Sequence, residues 1–131
     1  MKAALVIVAI IAAGLGVPAV AIHFGDRQTF VAPPDAVLEG FAREVGERRY
    51  DMATRYLSAA LSRTVDAETL RARFEPQGRA LGDLNNVDTE IEWMDRTRAS
   101  ARATIEAQRG SMDLIVPLVW DHGVWAIDAL P

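Results

Sequence analysis

The sequence predicts an α+β domain: N-terminal helices packed on a curved, antiparallel, four-stranded meander, preceded by one hydrophobic transmembrane or signal helix. Three observations carry this. Residues 3–22 form an uncharged run; apolar residues then recur at helical spacing from Val37 to Phe74; beyond Asn86 the apolar period drops to two. Helices followed by consecutive strands is α+β order rather than βαβ alternation. The sheet must bury one face, and the preceding helices are its apolar partners. A twisted meander curling around them makes a cone with a cavity at its mouth.

The first 24 residues read as a signal peptide or a single transmembrane anchor. Lys2 is the only charge in Met1–Ile22, and the run after it is long enough to cross a bilayer core. Ala19-Val20-Ala21 offers the small-x-small spacing of a signal-peptidase site, with Gly14, Gly16 and Pro18 before it. An uncleaved span tolerates the same residues. Both readings place the domain outside the cytoplasm, either single-pass on the cell membrane or secreted or periplasmic after cleavage near Ala21. Residues 25–33 read as a linker, and 34–131 as the folded domain.

Pro33-Pro34 opens the first helix, since the missing proline N–H would have no partner in a first turn. Asp35 sits where the helix dipole favours an acid. Val37, Leu38, Phe41, Ala42 and Val45 form one apolar stripe, so the helix runs from Pro34 to about Arg48. Arg49-Tyr50 reads as a break. Asp51 then caps a second helix holding Met52, Ala53, Tyr56 and Leu57, and Asp66 a third with Leu70 and Phe74. Pro76-Gln77-Gly78 reads as its stop, and residues 78–86 as an irregular connection anchored by Leu81 and Leu84.

Val87, Thr89, Ile91 and Trp93 then alternate with polar neighbours as a strand. Ala99 to Ala107 alternates likewise, although alanine is a poor strand former. Arg109-Gly110 turns the chain into a third strand, Met112 to Trp120, apolar on both faces. Asp121-His122-Gly123 turns it into a fourth, Val124 to Leu130.

Composition narrows the chemistry. The 131 residues carry 14 Lys+Arg against 18 Asp+Glu, a net charge of -4, which disfavours nucleic acid as a partner. With no cysteine, disulfides, thiolate metal sites and a cysteine nucleophile are excluded. Two histidines make a zinc centre an unpromising expectation, and no metal or other cofactor is implied. Ser58 and Ser62 have no histidine to form a hydrolase triad.

Phe41-Ala42, then Arg49-Tyr50-Asp51-Met52-Ala53-x-x-Tyr56-Leu57-Ser58, resembles the opening of nuclear transport factor 2-like domains. Gly123-Val124-Trp125-Ala126-Ile127-Asp128-Ala129-Leu130 resembles the closing strand of that superfamily. The resemblance spans Pro34–Pro131 and implies a cystatin-like cone. The superfamily includes ketosteroid-isomerase-like and SnoaL-like isomerases and cyclases, dehydratases, and non-enzymatic secreted or membrane-tethered modules, so fold does not choose among them.

An isomerase of this type needs a carboxylate base in an apolar pocket with hydrogen-bond donors opposite. Asp128, Tyr56 and Tyr50 are the catalytic candidates. Asp128 is in phase with Val124, Ala126 and Leu130, which would turn it inward. Trp93, Trp120 and Trp125 are the candidates for binding a ligand or partner. Glu90, Glu92, Arg102, Glu106 and Asp113 read as cross-strand charge pairs on a solvated face, and His122 as a surface turn residue. The reading is a non-enzymatic extracytoplasmic binding or accessory domain for a protein partner or small apolar ligand. Expected partners are the membrane, through an uncleaved leader, and a second copy or an envelope protein. The alternative is an isomerase, cyclase or dehydratase of the ketosteroid-isomerase-like type.

Overall fold

The computed structural model describes residues 21–23 and 29–131, with side chains from residue 31 onward. The expected leader helix lies outside the described residues except at its end. There Ala21 and Ile22 belong to a strand, β1 (Ala21–His23), paired antiparallel with β2 (Thr29–Val31). β2 thus falls within the stretch expected as linker. Among the described residues no helix is long and apolar enough to cross a membrane.

Helix α1 (Pro34–Gly46) has proline in its first turn, Asp35 beside it, and the expected stripe buried, with Leu38, Phe41 and Ala42 fully so. It stops before Arg48 because Arg48 takes φ 62°, the left-handed region that reverses a chain at a helix end. The Arg49 N–H then returns to the Glu44 carbonyl at 2.8 Å.

The expected second helix is shorter and broken. Tyr50 lies inside it, since α2 (Tyr50–Ala53) starts after Arg49 and gives way to a 3-10 turn, Thr54–Tyr56. Asp51 therefore sits in the first turn and caps nothing. Leu57 is extended and bridges Ile127 in parallel, and the Ser58 N–H donates to the Ile127 carbonyl at 2.7 Å. One turn of helix stands only by packing, here of Tyr50 and Ala53. Ser58 then caps α3 (Ala59–Ser62), accepting from the Leu61 N–H at 3.1 Å.

Helix α4 (Ala67–Leu81) begins at the expected cap, with the Thr69 N–H donating to Asp66 at 2.9 Å. It passes through Pro76-Gln77-Gly78 instead of stopping there. Two distant arginines satisfy its last carbonyls. Arg48 donates to Gly78, and Arg109 to Arg79 and Ala80, at 2.9–3.0 Å. Such capping offsets a proline whose ring faces solvent. The irregular connection shrinks to Gly82 and Asp83, and Gly82 supplies φ 87° for the exit.

The meander is β3 (Leu84–Met94), β4 (Arg98–Ala107), β5 (Gly110–Asp121) and β6 (Val124–Ile127), ordered β3-β4-β5-β6 and antiparallel throughout. Strand β6 ends at Ile127, three residues short of Leu130. His122 at φ 54° and Gly123 at φ 86° form its two-residue turn, the primed geometry that matches strand twist. Helix α1 lies across β3, β4 and β6 on one face. That inner face is Ala99, Ala101, Ala103 and Ile105 of β4 with Met112, Leu114, Val116 and Leu118 of β5, all buried. The alanines, weak strand formers, leave room for the helix to approach, so packing overrides propensity. Phe41 meets Phe74 edge-on at 6.2 Å and ties α1 to α4.

Candidate functional site

The open face of the sheet carries a trough that the register builds row by row. Trp93 stands opposite Ser100, and Ser100 opposite Pro117. The Asp128 N–H donates to the Pro117 carbonyl at 2.9 Å. One row therefore runs Trp93, Ser100, Pro117, Asp128 across the strands. Trp93, Arg98, Pro117, Val119 and Asp128 line a cleft of about 100 Å³, floored by Ala99 and Leu118.

Two expectations are corrected here. Trp93 does not share the face of Val87, Thr89 and Ile91, because a bulge between Ile91 and Trp93 shifts the register and turns the indole over. Asp128 keeps the phase of Ala126, but that phase faces outward: Ile127 is the inward residue, paired with Leu118 and fully buried. Asp128 is exposed.

The carboxylate is nonetheless held. Ser58, buried to 2% exposure, donates its hydroxyl to Asp128 Oδ1 at 2.8 Å. Next to it the Ala59 N–H donates to Asp121 Oδ2 at 2.8 Å, and His122 Nδ1 lies 2.6 Å from Asp121 Oδ1. The Ala59 N–H, and after it His122, hold the Asp121 carboxyl below its usual range. His122 is exposed, as its turn position implied. These contacts clip the Leu57–Ala59 segment to the β5–β6 hairpin and the residue that follows it. Nothing in the local sequence around Ser58 announces a partner seventy residues away.

The tyrosines are elsewhere. Tyr56 is buried and lies so close over Gly40 that a Cβ there would meet its ring at 2.5 Å. Burial, and after it the Glu44 charge, pushes its hydroxyl up to about 12. Tyr50 is buried beneath Arg71, whose guanidinium stands 5.4 Å from the ring centre. Its hydroxyl has no partner among the described residues, and burial raises its pKa. The structure does not bring Tyr50, Tyr56 and Asp128 together.

A buried acid that the sequence reading missed is Glu44, whose charge acts on Tyr56 as that of Glu75 acts on Tyr50. It is 4% exposed and accepts from Arg49 Nε at 2.6 Å. A helical signal for it existed: Glu44 stands three residues after Phe41 and seven after Val37, within the apolar stripe.

The tryptophans divide. Trp125 is buried, with Trp120 edge-on to it at 5.6 Å. Trp120 is 41% exposed and Trp93 52%. Ile91 and Met94, opposite Ala101 and Ala99 on the helix-side face, are exposed at the end of β3, and Ile115 is exposed on the other face. On the open face Arg102 reaches Glu92 at 3.0 Å, one of the expected charge pairs, whereas Asp113 accepts from the Thr104 hydroxyl at 2.9 Å and Glu90 and Glu106 make no ion pair among the described residues. Two larger clefts, of about 300 and 320 Å³, lie at the α1 C-terminus and along α4. The second is lined by Arg71, Glu75 and Arg79, which bind one another. Among the described residues no three His, Cys, Asp or Glu side chains cluster to hold a metal.

No protein-family model matches the chain, and no curated protein matches its sequence. Among solved structures it is similar to a Campylobacter jejuni protein described as an NTF2-like transpeptidase, with TM-score 0.61 and 11% identity. The similarity covers 75% of this chain and 99% of that one. Helices on a four-stranded antiparallel meander, superposing on that neighbour, give this chain the nuclear transport factor 2-like fold.

Proposed function

We propose that the chain is a non-enzymatic binding or accessory module of the cell envelope, tethered or secreted, which engages its partner through the open end and face of the sheet. The observation that carries this is the placement of Trp93, beside Met94 and near a held carboxylate, with its ring in solvent. A tryptophan costs little conformational entropy on binding and offers a large contact area. Monomeric surfaces seldom collect large apolar side chains without a use for them.

For the anchor, support comes from β1: a cut after Ala21 would fall inside the strand that pairs with β2. Fractionation with N-terminal sequencing tests this. An intact Met1 in the membrane pellet supports the anchor, and a start at Ile22 removes it.

Partner engagement is tested by photo-crosslinking in cells, with the reactive residue placed at Trp93, Met94 or Trp120. One adduct of defined mass at these sites, and none at Glu106 or Asp113, is the expected result. Equal labelling everywhere would sink the reading.

The alternative, an isomerase of the ketosteroid-isomerase-like type, is favoured by one observation, the buried Glu44 carboxylate in the field of Tyr56. Arg49 occupies one of its oxygens with a charge-assisted bond, which disfavours its acting as a base. The neighbour described as a transpeptidase is a precedent for enzymes on this fold, at an identity that transfers the fold alone. Isomerisation of a β,γ-unsaturated ketone by the wild type, lost in Glu44→Gln, would reverse the ranking.

A further inference from the structure

The trough on the open face holds three groups whose chemistry the fold leaves free. Asp128 Oδ1 takes the Ser58 hydroxyl, and Oδ2 has no partner among the described residues. Arg98 engages Asp95 through its backbone N–H, at 2.8 Å, while its guanidinium makes no salt bridge among the described residues. Of the neighbouring acids, Asp95 accepts from the Thr97 N–H through Oδ1 and also feels the Arg98 charge, and Glu92 holds Arg102. The third group is the exposed ring of Trp93.

We propose that the trough between Trp93 and Asp128 binds a small zwitterion, a free α-amino acid or a molecule of that size with one carboxylate and one ammonium. The proposal rests on the binding-module reading above and names the ligand class of the same surface. The Arg98 guanidinium presents a planar fork that suits a carboxylate. Asp128 Oδ2 accepts from the ammonium, and the buried Ser58 keeps that carboxylate oriented before the ligand arrives. Trp93 and Pro117 take the ligand's apolar part.

Size agrees with this class. Register places Trp93 and Asp128 three strand spacings apart, about 14 Å at ~4.8 Å each. Between their side chains about 100 Å³ remains. Drug-sized pockets start at about 300 Å³, so this cleft takes a compact headgroup and not a polycycle.

The test is calorimetric titration of the full chain, in detergent, with leucine, N-acetyl-leucine and leucinamide. Leucine should bind at least about tenfold more tightly than either capped form, since each has lost one charge-assisted bond. The acetylated form stands for a peptide C-terminus and the amide for an N-terminus. Arg98→Gln should erase the preference over leucinamide and keep the preference over N-acetyl-leucine. Asp128→Asn, which retains the acceptor for Ser58, should do the reverse, and unchanged thermal melts show that both variants fold. A purely structural role for either residue would not move these preferences in opposite directions. Equal affinity for all three compounds, or no heat from any, overturns the proposal. Blank titrations with the Trp93 and Met94 crosslinks intact would overturn the zwitterion alone. Loss of both would overturn the binding module too.

Discussion

Along β4 and β5, neighbouring residues live in opposite surroundings. Ala99, Ala101, Ala103 and Ile105 are buried under the helix layer, while Arg98, Glu106, Ile115 and Pro117 on the same two strands are exposed. The backbone is shared, so only the layer above differs. Under α1, water has been removed from a continuous apolar surface, worth about 25 cal/mol per Å². On the open face no such gain is made, and the side chains there are free to meet something else. The burial that stabilises the fold and the surface it leaves open thus sit on alternate residues of one strand pair, which makes them separable by substitution.

The largest expected effect comes from the inner side. Phe41→Ala removes a fully buried ring that touches Phe74, and should cost about 3–5 kcal/mol in urea unfolding. A loss under 1 kcal/mol would mean that α1 does not cover the sheet as described.

Next is an alkaline transition. Tyr56 is held at about 12 against an ordinary 10.0, so the fold favours the neutral phenol. Its contribution is intact below pH 10 and disappears as pH rises through 12. Two units correspond to about 2–3 kcal/mol. Unfolding free energy of wild type should fall by that order across the window, and Tyr56→Phe should fall less.

Smaller again is the clip. Ser58→Ala removes the α3 cap and the Asp128 bond together, and about 1–2 kcal/mol should follow in the same urea measurement. It should also loosen the trough, because Asp128 then lacks its hydroxyl partner.

The smallest effect on stability belongs to the open face. Trp93→Ala should stay within about 0.5 kcal/mol of wild type. Yet the crosslink at Met94 should vanish in that variant. A large destabilisation would show Trp93 to be packing rather than contact surface.

How much of this was legible in the chain depends on the range of the interaction. The α1 stripe, the Asp66 cap, the alternation in β4 and a hairpin turn around His122-Gly123, expected one residue longer to include Asp121, are local patterns legible from spacing. The α4 terminus was misread because arginines thirty residues away in either direction cap it, and local rules see only Pro76 and Gly78. The same holds for the site. The phase of Asp128 was readable, but which phase faced the helices depended on where α1 came to rest. The bulge after Ile91 turned Trp93 over with no glycine or proline beside it to give notice.

By itself the sequence determined the order of elements, the α+β class and the exclusion of cysteine chemistry, since these follow from composition and from periods of 3.6 and 2. Tertiary structure alone decided which strand face would be covered, that Ser58 would hold Asp128, and that Trp93 would share a trough with Arg98. Periodicity assigns residues to a side of an element, but only packing between elements decides which side loses its water.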